Sequence, residues 1–236
     1  MSNRFTSPIT KTGAGVEKNK PLSVVIPAAG MGHRMKSYGP KCLLPANNKD
    51  TILEKIVNNV KREYPYSDIV VVTGFESDKV IKSLPPNVRV VENNHYETTN
   101  TVESIRVGIN ACITDNVLIV YGDLVFNVYS IRDITNSGSC AIVDSKSQFK
   151  SEEVGVTVVD GKITRFAYGL PKKWSQIAFF ENEEFKMLKD LCSDKRKSKL
   201  YPFELFNFMI VRGCTVKSIE PKGMIIKEVD SLKDLK

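Results

Sequence analysis

The stretch at residues 26–45, IPAAGMGHRMKSYGPKCLLP, places flexible and cationic residues directly after an apolar run. Gly30 and Gly32 allow main-chain N–H groups to approach an anion closely. Arg34 offers a planar fork to phosphate oxygens, and Lys41 supplies a compact positive charge. The segment therefore suits a polyphosphate, although glycines and cations alone also fit a surface turn with solvated charges. It matches neither the dinucleotide fingerprint GxGxxG nor the P-loop pattern GxxxxGK[ST].

The elements around this loop alternate between apolar strands and amphipathic helices. Thr51 and Glu54 form a capping-box pattern at the start of the first helix. The alternation predicts an α/β fold whose mostly parallel central sheet is covered by helices on both faces. Ligands bind at the carboxyl ends of the strands in such sheets, which is where the loop lies. Strands are predicted at residues 22–27, 68–74, 87–93 and 116–123, and helices at 51–64, 76–83 and 101–112.

The second half of the chain shows strands without intervening helices, which predicts a small antiparallel extension. Asp160-Gly161 is a hairpin-turn signal within it. We expect one domain over residues 21–236, preceded by a flexible polar leader at 1–20. Further strands are predicted at 139–144, 155–167, 174–180, 215–219 and 224–229, and helices at 182–192 and 202–211.

Composition narrows the class of protein. The 236 residues carry a net charge of +7, which is compatible with phosphorylated small molecules, nucleic acid or an anionic membrane. The basic run at residues 193–199 has no interleaved aromatic residues, so a solvated loop is favoured over a nucleic-acid surface. No apolar run approaches the ~20 residues that span a bilayer, and the first twenty residues lack the apolar core of a signal peptide. Five scattered cysteines without a CxxC pair predict reduced thiols in a cytoplasmic protein, with neither disulfides nor zinc.

The motif AAGMGHRM, followed by PKCLLP and then a helix, resembles the signature of nucleotidyltransferases that activate phosphorylated sugars and alcohols. Their pattern is A-A-G-x-G-x-R-(L/M), then P-K-x-L-(L/V). The resemblance extends from Leu22 onward and is closest to the small branch that includes phosphocholine cytidylyltransferases. It implies a Rossmann-like, GT-A-like fold, and a transferase that moves a nucleoside monophosphate from a triphosphate, CTP or UTP being favoured, to a phosphorylated acceptor with release of pyrophosphate.

The same resemblance implies roles for residues of the loop and of the segment HYETTNTVESIRVGI, which enters a helix beside the nucleobase. Arg34 and Lys41 would be catalytic, stabilising the charge that develops on the transferring group and on pyrophosphate. His33 fills a variable position. Asn100 also has the spacing of a helix N-cap with Glu103 as its partner. The implied nucleotide-binding residues are Ala28, Ala29, Gly30, Gly32, Thr99, Asn100 and Ser104.

The resemblance also implies a magnesium site that is held by one acid at the end of a central strand and another near the C-terminus. Asp123 in LIVYGDL and Asp230 in IIKEVDSL occupy those positions. Mg²⁺ prefers one or two carboxylates together with phosphate oxygens and water. Taken singly, Asp123 also fits a turn after a strand, and Asp230 fits a helix N-cap. Glu228 would share the face of Asp230 if the strand continues.

The acceptor is expected over the antiparallel extension. Lys172, or its neighbour Lys173, could hold the acceptor phosphate, Trp174 could line the site, and Glu204 could meet a hydroxyl or an ammonium. Solvated lysines and a core tryptophan are the alternatives. A choline site needs several aromatic rings around the ammonium, and the single tryptophan therefore favours a sugar phosphate.

Two other enzymatic readings share this architecture. A nucleotide-sugar glycosyltransferase of the GT-A type would carry a DxD-like metal motif, whereas Leu-Val-Phe follows Asp123 here. A transferase that attaches a nucleotide to a molybdenum cofactor uses a similar loop. A nucleotide-binding module without catalysis is the non-enzymatic alternative.

Overall fold

The computed structural model describes residues 21–30, 39–230 and 234. The predicted leader at 1–20 lies outside the described residues, and so do Gly32, His33 and Arg34. The division of the chain into a leader and one domain therefore stays a prediction.

Eleven strands and five helices form the described part of the chain. The α/β class predicted from the sequence is confirmed. The strands are β1 Ser23–Pro27, β2 Asp68–Thr73, β3 Arg89–Glu92, β4 Asn116–Val120, β5 Leu124–Phe126, β6 Cys140–Asp144, β7 Val154–Val159, β8 Lys162–Tyr168, β9 Lys172–Glu181, β10 Lys217–Ile219 and β11 Ile226–Glu228. The helices are α1 Ile52–Glu63, α2 Ser77–Ser83, α3 Thr101–Asn110, α4 Asn182–Ser193 and α5 Pro202–Val211.

The central sheet has the strand order β3-β2-β1-β4-β9-β6-β10-β8-β7. The first four of these strands are parallel, as the βα alternation predicts. β9 runs antiparallel to both β4 and β6, so the antiparallel part begins inside the sheet and not beyond its edge. β5 and β11 form a separate two-stranded sheet, which the sequence patterns did not reveal.

Two apolar clusters cover the two faces of the sheet. In β1, Val24 and Ile26 join the cluster that contains α1, whereas Val25 joins the cluster that contains α3, α4 and α5. Alternate side chains of a strand point to opposite faces, so a strand buried on both sides reads as a continuous apolar run. Packing on both faces holds the strands of the sheet in place, and it therefore also fixes the positions of the carboxyl ends of β1 and β4.

Local signals position the elements as the sequence predicted. The α1 capping box is present, with the Thr51 side chain accepting from the Glu54 N–H and the Glu54 carboxylate accepting from the Thr51 N–H at 2.7 Å. Asp160 and Gly161 both have positive φ, of 49° and 73°, which a tight hairpin between β7 and β8 requires. The strand predicted to continue to residue 123 ends at Val120, because Gly122 turns to bond the end of β1.

The five cysteines, all of them within the described residues, are free thiols, in agreement with the prediction. Burial raises the pKa of the Cys42, Cys140 and Cys192 thiols to about 12, so they stay protonated and behave as small apolar side chains. None of the helices in the described part of the chain has the length and apolar composition needed to cross a bilayer.

Candidate active site

A cavity of about 210 Å³ lies at the carboxyl ends of β1 and β4. The loop after β1 forms one wall, and the N-terminal end of α3 forms another. The position follows the rule for open α/β sheets, in which ligands bind where the strands end. Most of the predicted nucleotide-site residues that the structure describes meet here: Ala28, Ala29, Gly30, Lys41, Thr99, Asn100, Ser104 and Asp123.

Close backbone contact joins the ends of the two strands. The Gly122 N–H donates to the Pro27 carbonyl at 3.1 Å. A Cβ at position 122 would lie 2.8 Å from that carbonyl oxygen, so only glycine allows this approach. The contact places Asp123, the next residue, at the edge of the cavity.

Lys41 lies between the two predicted metal-binding carboxylates. It opens a 3₁₀ turn at Lys41–Leu43, and its Nζ donates to Asp230 Oδ1 at 2.8 Å and is 3.7 Å from Asp123 Oδ2. Asp230 is brought there by β11, which pairs with β5, and by the Val229 N–H, which donates to the Asp123 carbonyl at 2.9 Å. The structure thus brings three of the predicted site residues together from distant parts of the chain.

The charges of this cluster perturb one another. Burial raises the pKa of Asp123, and the Lys41 ammonium opposes that shift. Burial disfavours the charged form of Lys41, but its hydrogen bond to Asp230 and the charge of Asp123 outweigh this and raise its pKa. Burial, followed by the charges of Asp123 and Asp230, raises the pKa of Glu228 to about 7. Glu228 also accepts a hydrogen bond from the Gln176 amide at 2.5 Å. The charges of Asp123 and Asp230 thus disfavour ionisation of Glu228.

The donor set at this cluster fits a magnesium ion. Asp123 Oδ1 is buried and has no hydrogen-bond partner among the described residues, which leaves one carboxylate oxygen available to a cation. The described residues contain no group of three or more His, Cys, Asp or Glu side chains arranged to hold a metal. Two carboxylates without further protein ligands suit Mg²⁺, which completes its shell with phosphate oxygens and water.

The end of α3 shapes the side of the cavity predicted to receive the base. Asn100 is the N-cap of α3 and accepts from the Thr101 N–H at 2.8 Å, and it also lines the cavity. The predicted reciprocal role of Glu103 is wrong, because its carboxylate is held in a two-point ion pair with Arg106. Asn93, which the sequence did not single out, donates to Ser104 Oγ at 3.1 Å.

The basic run at 193–199 lies beside this pocket. The Asn100 N–H donates to the Ser198 carbonyl at 2.9 Å. Asp194 forms ion pairs with Arg196 and Lys197, so part of the run's charge is neutralised within the run itself.

A second and wider cleft of about 1020 Å³ adjoins the first cavity and shares Thr101, Tyr121 and Asp123 with it. Its floor is formed by the strand β9, including Lys173 to Gln176. Gln176 has a positive φ of 58° near the bulge where β9 pairs with β6, and no glycine marks this position in the sequence.

The three residues predicted to bind the acceptor lie in three different environments. The Trp174 indole lines the cleft but is buried against Phe166 and Tyr121. Lys172 is not among the described residues that line the cleft, whereas Lys173 is. The Glu204 carboxylate accepts from the Tyr201 N–H at 2.8 Å and thereby caps α5.

The protein thus has an α/β fold with a cavity at the point where the strand order of the sheet reverses. Two carboxylates flank one lysine at the edge of this cavity. The comparison with protein families agrees with this class. The chain matches the family described as "MobA-like NTP transferase domain" over residues 24–201, more than half of its length, and therefore belongs to that family. This confirms the nucleotidyltransferase family that the loop motif indicated.

Relatives and solved structures extend the comparison. The chain is 33% identical over 105 residues to the bifunctional protein GlmU of Solibacter usitatus, a match that covers 44% of this chain and 22% of that relative. Its fold is similar to a CTP:phosphocholine cytidylyltransferase from Streptococcus pneumoniae, with a TM-score of 0.71, 18% identity and coverage of 90% and 95% of the two chains. It is also similar to the inositol-1-phosphate CTP transferase from T. maritima, with a TM-score of 0.73, 16% identity and 91% coverage of each chain. The last two similarities show the fold alone.

Proposed function

We propose that this protein transfers a nucleoside monophosphate from a nucleoside triphosphate to a phosphorylated sugar or alcohol and releases pyrophosphate. One observation carries the proposal: Asp123 lies where two cavities meet, a loop-walled pocket and a wider cleft. A reaction between a triphosphate and a second substrate needs two such sites with a charged junction.

The reaction joins the two substrates directly. An oxygen of the acceptor phosphate attacks the α-phosphorus, a new P–O bond forms, and the bond from the α-phosphorus to the bridging oxygen of pyrophosphate breaks. An ionised phosphate needs no general base, so the protein acts by positioning the reactants and neutralising charge. The geometry supports Lys41 as a charge partner at the junction, and Arg34 is proposed to act from the loop at 31–38, which lies outside the described residues.

Asp123 and Asp230 are proposed to hold Mg²⁺, which when bound supplies a positive charge that polarises the phosphate oxygens. The buried, unpartnered Oδ1 of Asp123 supports this assignment. Without a bound ion, Lys41 keeps the two carboxylates close together, because the Lys41 ammonium contacts both of them.

A pyrimidine triphosphate, CTP in particular, is the proposed donor. Two solved structures of the same fold have names that specify CTP. In this chain the polar groups available to a base and ribose are Thr99, Asn100 and Ser104, at the end of α3.

The glycosyltransferase alternative lacks support in this site. The residues after Asp123 form β5, whose backbone pairs with β11, and no second aspartate follows at the DxD position. Transfer to a molybdenum cofactor has one supporting observation, which is the family description itself.

A pyrophosphate-release screen tests the proposal. Four triphosphates are combined with Mg²⁺ and a panel of phosphorylated sugars, phosphorylated alcohols and a molybdenum cofactor, and each product is identified by mass. Asp123→Asn serves as the inactive variant, and Asp78→Asn, an exposed acid of α2, is the matched control that should keep activity. Consumption of a nucleotide sugar with transfer of its sugar, without turnover of any triphosphate, would contradict the proposal.

A further inference from the structure

Three aromatic side chains form an outer rim on the wider cleft. Tyr168 and Phe203 meet edge to face, with centroids 5.2 Å apart and planes at 70°. Phe203 and Tyr201 are stacked at 6.0 Å, with planes at 16°. Tyr168 is 51% exposed and Tyr201 49% exposed, so both side chains remain partly open to a ligand. We call Tyr168, Tyr201 and Phe203 the aromatic rim.

A row of aromatic rings leads from the reactive junction to this rim. Tyr121, two residues before Asp123, packs edge to face on Trp174 at 5.8 Å, and Trp174 packs on Phe166 at 5.5 Å. Phe166 and Tyr168 are two residues apart in β8 and therefore share a face. The rim thus belongs to the same cleft as Asp123, at the end where the body of an acceptor would lie.

Carboxylates lie beside the aromatic rim. Tyr168 pairs with Val154 across β7 and β8, which puts the turn that carries Glu152 and Glu153 next to it. Glu204 follows Phe203 in the chain, and its carboxylate accepts from the Tyr201 N–H at 2.8 Å, so its charge lies near the rim.

The cleft as a whole is acidic although the chain is basic. Its described lining contains seven acidic side chains and three lysines, whereas the whole chain has a net charge of +7. One of those lysines, Lys173, is held in an ion pair by Glu153 and so does not offset the remaining carboxylates. The surplus of positive charge on the chain therefore lies elsewhere.

Ring faces beside carboxylates offer two kinds of attraction to a cation. The side-chain amides of the described cleft lining, Gln148 and Gln176, are not part of the aromatic rim, and the Gln176 amide donates to Glu228. An ammonium is attracted by ring faces and by carboxylates together, and the two nearly perpendicular rings of Tyr168 and Phe203 offer a corner to it.

We propose that the acceptor is a phosphorylated amino alcohol, whose ammonium group binds at the aromatic rim while its phosphate lies at Asp123 and Lys41. This inference rests on the proposed function. It departs from the sequence-based preference for a sugar phosphate, which depended on the single tryptophan. The fold supplies the rim from a tyrosine in β8 and from a tyrosine and a phenylalanine at the start of α5.

The test compares acceptors that carry a cationic group with acceptors that do not. With CTP and Mg²⁺, initial rates of pyrophosphate release are measured for phosphocholine, phosphoethanolamine, glucose 1-phosphate and the neutral isostere of phosphocholine in which a carbon replaces the quaternary nitrogen. We expect kcat/KM for the better of the two cationic acceptors to exceed that for the isostere and for glucose 1-phosphate by about tenfold or more.

Variants then locate the ammonium. Tyr168→Leu should raise the KM for the cationic acceptor by about five- to thirtyfold, with the KM for CTP unchanged. Tyr168→Phe, which keeps the ring face, should raise it less. Glu204→Gln retains an oxygen that can cap α5 and removes the charge, so it should also raise the acceptor KM. Tyr66→Leu, at an 80% exposed tyrosine between α1 and β2, is the matched control.

The outcomes separate the two proposals. Turnover of glucose 1-phosphate or the neutral isostere at least as fast as the cationic acceptors would overturn the inference and leave the proposed function standing. An equal change in the KM for CTP and for the acceptor in Tyr168→Leu would also overturn it, because that is the result of a structural defect. If no phosphorylated acceptor supports pyrophosphate release with any triphosphate, the proposed function fails, and the inference fails with it.

Discussion

Replacing Lys41 by Met should uncouple the two carboxylates that it now joins. The ammonium lies 2.8 Å from Asp230 and 3.7 Å from Asp123, and methionine keeps most of the side-chain volume without the charge. The variant therefore removes a cation that both carboxylates contact.

The expected loss of stability follows from these contacts. At an effective dielectric constant of about 20, one ion pair at about 4 Å is worth about 4 kcal/mol of Coulomb energy. Desolvation and the 43% exposure of the Asp230 side chain offset much of that, so we expect a net loss of about 2 kcal/mol in the free energy of unfolding. For a chain of this size that corresponds to a fall in Tm of about 4 to 8 °C.

Thermal melting with and without Mg²⁺, combined with pyrophosphate release, measures both consequences. A dication would neutralise the charges of Asp123 and Asp230 in place of Lys41. Mg²⁺ should therefore raise the Tm of Lys41→Met more than it raises the Tm of the unaltered protein. Turnover should fall by about 10²-fold or more, as for the loss of a preorganised charge partner. Lys79→Met is the control, since Lys79 is 63% exposed and its pair with Glu76 contributes little.

Two results would refute this reasoning. An unchanged kcat/KM in Lys41→Met would show that Lys41 takes no part in the reaction. A Tm within the range of the Lys79→Met control, with no additional response to Mg²⁺, would mean that the ammonium does not hold the two carboxylates together.

Further changes test other parts of the chain. Asp123→Asn and Asp230→Asn should each nearly abolish turnover. The double variant should be no slower than either single variant, because each substitution empties the same metal site. If the two rate losses multiply in the double variant, the carboxylates do not share one ion. Thr51→Ala removes half of the α1 capping box and should lower the free energy of unfolding by about 1 kcal/mol without changing kcat, as measured by urea titration and initial rates. Lys173→Ala should change the acceptor KM more than Lys172→Ala, since of these two lysines only Lys173 is in the described lining of the cleft; the opposite order would restore Lys172 as the acceptor ligand.

Local patterns in the sequence predicted the elements, because each pattern has a local cause. The continuous apolar run of β1 reflects burial on both faces, and the capping box fixes the start of α1. The hairpin at Asp160-Gly161 follows from backbone conformations that these two residues tolerate. The loop motif singled out Gly30 and Lys41, and both of them line one cavity.

Contacts between distant parts of the chain could not be predicted in the same way. Lys41 and Asp230 are 189 positions apart, and only the family motif associated them. The place of β9 between β4 and β6 depends on pairings that leave no local trace. Gln176 adopts a positive φ without being Gly, Asn or Asp, so nothing in the sequence marks its position beside Glu228. The aromatic rim was missed because it assembles from separate strands and helices.

The insertion of β9 into the sheet has a consequence for how the chain folds. β4 is the last strand of the parallel half, and its free edge is satisfied only by β9, with Val120 opposite Ile177. While the chain is being synthesised, the strands of the parallel half emerge first and leave that edge unpaired until residues 172–181 arrive. Pairings over such separations are slow to form, and an unpaired strand edge invites association with other chains. The parallel half of the sheet therefore depends on β9, from the second half of the chain, for its completion.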